Sequence, residues 1–443
     1  MRKKHWALLA ALALALSVLA AGCGGGGDDN EGAGGETTTG AQQEQVSGTV
    51  SVIASWTGAE GKAFQQVLDG FTQNNPDVTV KYKGTNDPAQ VLSTAVQGGN
   101  PPDLAALPSP GLMKDFVDQG SLKPIDFAKS DVSQNFSPDW VRFGTVNGKL
   151  YGVFFKGANK STVWYNTHAF ENAGVEPPTS WDDLLNDAKT INASGTPAYS
   201  LGASDGWTLT DLFENIYIRS AGPEKYDQLA EHKIPWTDPS VKEALTEMGK
   251  ILGDSKNIAG GPNGALQTNF PQSITNVFQP SDPKAAMIFE GDFVPGVAKG
   301  QTKAKAKTDY DVFNFPEING KGGDYVVGGG DVFVMFKDNP ASQALIKYLA
   351  SPEAAEIWAR QGGYSSPNKN LDTGVYPDDI TRTTAGALAQ ASTFRFDLSD
   401  LQPSEFGGDA MFTALQDFLK NPSNVDGTAK KLEQDATAAY KKS

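Results

Sequence analysis

The chain has 443 residues, with 52 acidic against 37 basic side chains, a net charge of −15 and a single cysteine, Cys23. That surplus of negative charge argues against a nucleic-acid or anionic-lipid partner, because both need basic patches to meet phosphates. One cysteine rules out a disulfide framework and thiolate metal centres.

In chain order, Arg2, Lys3 and Lys4 precede an apolar run at 6–19, which is followed by Ala20, Ala21, Gly22 and Cys23. This is the layout of a bacterial lipoprotein signal, predicting a cleaved segment 1–22 and a lipid-bearing Cys23 at the mature N-terminus. The run is shorter than the roughly 20 apolar residues of a membrane span. Ala20 stands where a lipobox usually has a large aliphatic residue, so cleavage at an A-x-A-like site leaving a free thiol is the alternative. Residues 23–45 are mostly glycine, threonine, glutamine and acidic residues, the composition of a flexible tether reaching on the order of 25 Å. The remaining body of roughly 400 residues is large enough for two lobes.

Along that body, apolar periodicity alternates between two and 3.6, the pattern of an α/β architecture. Strand-like runs fall at 49–54, 78–82, 285–289 and 332–336. A helix after Glu60 aligns Phe64, Val67, Leu68 and Phe71 on one stripe. Ser180 and Asp183 form a capping-box-like start for a helix carrying Trp181, Leu184, Leu185 and Ala188 on one face. Asp238-Pro239, Asn339-Pro340 and Ser351-Pro352 each place a cap residue before a proline at the first helical position, predicting three further helices.

The order of segments resembles the family-1 extracellular solute-binding proteins, the maltose-binding-protein-like components of carbohydrate ABC importers. The matching strings are WTGAE (56–60), NNPDVTVKY (74–82), GGNPPDLAALPSPG (98–111), GSLKPID (120–126) and GKLYGVFF (148–155), then VWYNTHAFENAGVEPPTSWDDLLNDA (163–188), which is the most specific. AAMIFEGDF (285–293), GGGDVFVMF (328–336) and YLASPEAAEIWARQGGYSSPN (348–368) complete the series. The resemblance implies an α/β, two-lobed periplasmic-binding-protein fold of the type II, Venus-flytrap kind, with three chain crossings at the hinge. These are expected near 156–159, 290–293 and 350–352, giving one lobe from 46–157 plus 292–350 and the other from 158–291 plus 351–443. It further implies a carbohydrate ligand in the cleft, membrane permease subunits with a cytoplasmic ATPase as partners, and a monomer. Ligand held by both lobes would favour a closed state.

Sugar capture needs flat aromatic faces and groups that hydrogen-bond adjacent hydroxyls. The expected ligand residues are Trp56 and Glu60 after the first strand, Ser109 in PSPG, and Phe154, Phe155 and Lys156 beside the first hinge. Asp205 and Trp207 follow in SDGWTLTD, Trp207 reading alternatively as packing over a helix start. Asp292 and Phe293 occupy a position where family members often have G-x-W, so Phe293 either replaces the stacking tryptophan or leaves Asp292 as a helix cap. Gly329 and Asp331 lie in the glycine run, Tyr364 in GGYSSPN, and Arg395 in FRFDLSD, where it reads equally as half of an ion pair with a neighbouring acid.

Gly202 to Gly206 match G-x-S-x-G, the nucleophile elbow, after a strand-like 197–201. Of three histidines, His5 falls in the signal, His168 in the family string, and His232 lies too soon after Ser204 for the usual Ser, Asp, His order, so a hydrolase is disfavoured. No H-E-x-x-H, C-x-x-C, EF-hand or phosphate-loop pattern occurs, so neither a catalytic metal nor a cofactor is expected. A tethered binding protein for a polyamine or a metal chelate is the non-sugar alternative.

Overall fold

A computed structural model describes residues 46–85 and 87–442; the expected signal peptide, Cys23 and the tether lie outside them. No helix among the described residues is long and apolar enough to cross a membrane.

Among the described residues eleven strands occur: β1 Gly48–Ala54, β2 Val78–Gly84, β3 Leu104–Leu107, β4 Thr145–Val146, β5 Lys149–Leu150, β6 Gly152–Asn159, β7 Thr162–Asn166, β8 Met287–Phe289, β9 Tyr310–Asn314, β10 Tyr325–Met335 and β11 Thr393–Phe396. The large sheet runs β11-β10-β3-β1-β2, with β6 also paired to β10; β1 is parallel to β2 and β3, as crossover helices require. A second sheet, β8-β7-β9, is antiparallel. β4 and β5 form a small separate ribbon.

The sequence signals act locally as expected. Helix Gly58–Asn74 buries Phe64, Val67, Leu68 and Phe71. Side chains of Ser180, Asp238, Asn339 and Ser351 each accept a backbone N–H at a helix start, satisfying donors that the helix itself leaves free. Segment 197–201 makes only isolated bridges through Tyr199, to Ile258 and Met287.

Two cores result. The first gathers β1, β3, the first half of β6, the second half of β10, and helices Gly58–Asn74, Pro340–Leu349 and Pro352–Ala359. The second covers one face of β7 with Val163 and Tyr165, while Trp164 on the opposite face anchors a smaller cluster with Val294, Ala298 and Tyr310. This alternation follows from the two-residue period of a strand.

Three passages join the lobes. Along β6, Phe155 lies in the first core, and Val163 in the next strand lies in the second. The return was expected at 290–293, but β9 pairs with β7 and helix Val294–Ala298 packs on Trp164, so this stretch stays with the second lobe. The chain instead returns along β10, with Val327 in the second core and Val332 in the first. The third passage was expected at 350–352. Ala354, Ala355, Trp358 and Ala359 remain in the first core, and the chain crosses between Phe396 and Leu398. Both differences have one cause: strand pairing and burial of a helix stripe decide lobe membership, and neither is visible in a local string.

Candidate functional site

β6 and β10 run antiparallel between the lobes, with a bulge that opposes Asp331 to Lys156 and Val332 to Phe154. A bulge re-aims side chains, and both Phe154 and Phe155 are buried on either side of it. At Gly330 a Cβ would stand 2.9 Å from the Lys156 carbonyl oxygen, and at Gly328 it would stand 2.3 Å from the Phe394 ring, so both glycines are required by packing. A Cβ on Gly329 would meet only the flexible end of Lys160, at 3.3 Å.

Two lysines define the polar part of this floor. Lys156 Nζ donates to Glu60 Oε1 at 2.6 Å, joining β6 to the first turn of helix Gly58–Asn74. Asp331 stands beside it, accepting from Trp56 Nε1 at 3.1 Å and Ser55 Oγ at 3.4 Å, and Asp292 accepts from Ser365 Oγ. Burial works to strip the Lys156 ammonium of its proton, but Glu60 and Asp331 outweigh it and hold the pKa above the ordinary lysine value. Burial pushes the carboxyl of Asp292 up to about 6 and raises that of Asp331 despite the opposing lysine.

Lys160, just past β6, donates to Asp211 Oδ1 at 3.1 Å and to Asp397 Oδ2. Asp211 lies on helix Trp207–Ala221 and Asp397 at the third crossing, so one ammonium ties two carboxylates from separate elements. Burial also opposes the charge on Lys160, and Asp211, Asp397 and Asp400 more than compensate. Burial raises the Asp211 carboxyl; Asp397, subject to the same penalty, is held low because Lys160 sits on it. One oxygen each from Asp211, Glu214 and Asp397 lie within 4.8 Å of one another, as metal ligands would. The Lys160 ammonium fills that cation position, and the Glu214 oxygens already accept from the N–H groups of Leu398 at 2.7 Å and Ser399 at 3.1 Å.

The aromatic part comes from the second lobe. Trp207 opens its helix behind Gly206, whose φ of +79° and contact with Phe412 both demand glycine. Its ring lies 4.8 Å from Phe270 and 6.2 Å from Phe293, and Phe270 and Phe293 are 5.6 Å apart. All three are half-buried, and Lys160 Nζ stands 5.6 Å above the Trp207 ring. Asp205 holds this group together, its Oδ2 accepting the Phe270 N–H at 2.8 Å.

Of the residues expected from sequence, Glu60, Asp292 and Asp331 surround Lys156, while Trp207 and Phe293 adjoin Lys160, which Gly329 faces. Trp56 does not join them as a free face: it is 2% exposed and packs on Phe64, Phe333 and Trp358 at 4.7, 5.8 and 4.9 Å. Phe155 is buried in the same group, and so is Tyr364, which donates to the Phe155 carbonyl oxygen at 2.7 Å and stacks on Trp358 at 5.1 Å. These three are corrected to core residues, since a ring walled on both faces cannot receive a ligand. Ser109 caps helix Pro110–Asp118. Arg395 takes its ion-pair alternative, with Asp227 rather than Asp397, at 2.6 Å. Asp205 accepts the Phe270 N–H and stands half-buried beside the Trp207 group.

Sequence reasoning passed over Lys160, Phe270 and Asp400. Asp400 is half-buried, and its carboxyl is raised by burial and by Asp397, and further by Asp331. The proximity of Phe270 to Trp207 had no local signal; Lys160 was detectable only as a second lysine four residues after Lys156. Ser204 Oγ donates to its neighbour Asp205 at 3.1 Å, while His168 and His232 are bonded to Asp309 and Glu433, so no triad geometry forms among the described residues.

The sequence profile of the bacterial extracellular solute-binding proteins matches residues 55–356. The osmoprotective compounds-binding protein GgtB of Synechocystis sp. is 33% identical over 386 residues, 86% of this chain and 90% of its own length. The alpha-glucosides-binding periplasmic protein AglE of Rhizobium meliloti is 32% identical over 396 residues, 86% of this chain and 85% of its own. In fold, the bacterial solute receptor AcbH superposes with a TM-score of 0.77 at 21% identity, covering 88% of this chain and 98% of that one. The two cores joined by β6 and β10 are thus the lobes of a known binding fold, and the chain belongs to the bacterial extracellular solute-binding proteins that serve ABC importers.

Proposed function

We propose that this protein captures a neutral sugar, an α-glucoside or a related glycosyl compound, in the cleft between its lobes and delivers it to the permease subunits of an ABC importer without altering it. The observation that carries the reading is the half-buried Trp207–Phe270–Phe293 group, aromatic rings set at steep angles to one another beside carboxylates and a lysine, which offers apolar contact next to hydroxyl-binding groups. AglE, whose name states α-glucoside binding, supports the class of ligand. Lipid attachment at Cys23 and a monomeric state belong to the same reading.

A polyamine is the second reading, favoured by the excess of acids around Lys156 and Lys160. Against it, Glu60, Asp211 and Asp397 are each paired with a lysine. Titration calorimetry of the purified protein with trehalose, sucrose, maltose and spermidine tests the choice. Saturable binding of a disaccharide, with the sugar recovered intact, is the expected result. Spermidine binding alone would transfer the protein to the polyamine class, and sugar breakdown would make it an enzyme.

A further inference from the structure

Lys160 Nζ is bonded to Asp211 and Asp397, yet it stands among more acids than these two. Glu214 brings an oxygen within 4.8 Å of an oxygen of each, and Asp400 and Glu290 lie within electrostatic reach of the ammonium. Five carboxyl groups thus surround one cation. Four are almost sealed from water: Asp211 is 2% exposed, Glu214 0%, Glu290 1% and Asp397 1%. The other half of the floor gives no relief, since Lys156 is bonded to Glu60, which borders a cavity of about 360 Å³ that none of these five acids lines. Like charges this close in a low dielectric cannot all persist, so the cluster keeps protons at neutral pH.

The unbonded oxygens show where protons can sit. Asp211 Oδ2 and Glu290 Oε2 are buried without a hydrogen-bond partner among the described residues. Asp397 and Glu214 have their oxygens taken by donors. Asp397 Oδ1 accepts the N–H groups of Ser399 at 3.0 Å and Asp400 at 3.3 Å, and Glu214 adds the Tyr226 hydroxyl, at 3.2 Å, to its two N–H donors. Asp400 differs from all four: it is half-buried, and among the described residues its side chain makes no hydrogen bond or ion pair. It occupies the turn Leu398–Leu401 at the third crossing, where its carbonyl oxygen would stand 2.8 Å from a Cβ on Gly111 of the first lobe.

The groups that face the Asp400 carboxyl are Asp397 on its own turn, Lys160 from the end of β6, Asp211 from helix Trp207–Ala221 and Asp331 from β10. On the other elements packed against this turn, Arg395 is bonded to Asp227 and Lys114 to Asp118. Burial, then Asp397, Asp211 and Asp331, hold its pKa well above the ordinary carboxyl range against the pull of Lys160. Lys160 also stands over the Trp207 ring, so one side chain adjoins both Asp400 and the aromatic group. A protonated carboxyl donates as well as accepts, whereas a carboxylate only accepts.

We propose that ligand capture by this protein is coupled to a proton: Asp400, holding its proton, donates a hydrogen bond to an oxygen of the bound sugar, and the carboxylate that replaces it at higher pH cannot. The inference rests on the sugar reading above and adds its regulation. Ligand favours the protonated form, so affinity is greatest at low pH and falls as the pH rises through the Asp400 pKa.

Titration calorimetry with trehalose, sucrose and maltose, from about pH 5 to about pH 9, tests this on wild type, Asp400→Asn and Asp400→Ala. Wild type should bind at least one disaccharide tenfold or more tightly at the lower end than at the upper. Asp400→Asn keeps a donor but cannot titrate. It should lose two- to threefold at about pH 5, vary less than twofold across the range, and bind more tightly than wild type at about pH 9. Asp400→Ala, without a donor, should lose tenfold or more at about pH 5 and show no further fall. Asp211, Asp292 and Asp331 are intact in both variants, so a wild-type fall that persists in Asp400→Asn would overturn the proposal. A flat wild-type profile, or an Asp400→Ala variant that binds like wild type at about pH 5, would overturn it while leaving sugar binding intact. Spermidine bound more tightly as the pH rises, and lost in Asp400→Asn, would make Asp400 the carboxylate partner of a cation and overturn it as well. Binding of no saccharide at any pH removes the sugar reading itself, and the proton coupling with it.

Discussion

Two aromatic groups of similar composition face opposite fates in this molecule. In the first lobe, Trp56, Phe64, Phe155, Phe333, Trp358 and Tyr364 close on one another, and the Trp56 indole N–H is consumed by Asp331. In the second, Trp207, Phe270 and Phe293 meet only along their edges and stay half-buried under the Lys160 ammonium. The first group is packed between a sheet and two helices, with Trp358 reaching the cavity beside Glu60; the second sits where three helices start, with the Lys160 ammonium over the Trp207 ring. Being aromatic near a hinge therefore does not make a residue a binding surface. What matters is whether the fold leaves one face of the ring without a neighbour.

The sharpest way to break the comparison is to remove one ring from each group. Trp56→Ala should cost about 3–5 kcal/mol of stability, read from the denaturant midpoint, because it leaves a cavity in a closed core and strips Asp331 of a donor. Asp292, next to Phe293 but turned toward Ser365 and Lys156, tests the polar boundary between the groups. Its folded pKa of about 6 lies above its unfolded value near 3.8, so its contribution is full below about pH 4 and is lost as the pH rises through about 6. Asp292→Asn, which cannot titrate, should remove a fall on the order of 3 kcal/mol from the pH profile of unfolding over that window. An unchanged profile would remove Asp292 as its source.

Trp207→Ala should weaken sugar binding about tenfold, roughly 1.4 kcal/mol, while costing less stability than Trp56→Ala. The reverse pattern, affinity kept and stability lost, would make Trp207 a packing residue like Trp56. The smallest effect belongs to Arg395→Ala. Its partner Asp227 is about half-exposed, so the ion pair should be worth less than about 1 kcal/mol, with no change in sugar affinity by calorimetry.

Much of the frame was legible in advance because it is encoded at short range. The helix after Glu60 shows its buried stripe at 3.6-residue spacing, and the caps at Ser180, Asp238, Asn339 and Ser351 lie within three residues of the N–H groups they satisfy. The lobe boundaries were less legible. β9 joins the second lobe only because it pairs with β7, about 145 residues earlier in the chain, a relation that no local pattern carries.

For the candidate site, Glu60, Lys156, Trp207, Phe293 and Asp331 could be nominated because they stand at loop and strand ends in strings resembling a known family. The sequence by itself determined the α/β class, the helix starts, the family and the absence of a disulfide framework, since each rests on composition or neighbouring residues. Only tertiary structure decided that Trp56, Phe155 and Tyr364 are packed away, that Lys160 bridges Asp211 and Asp397, and that a cavity opens beside Glu60. Those outcomes depend on which distant segments, 237 residues apart in the Lys160–Asp397 pair and 275 in the Trp56–Asp331 pair, the fold brings to the same few ångströms.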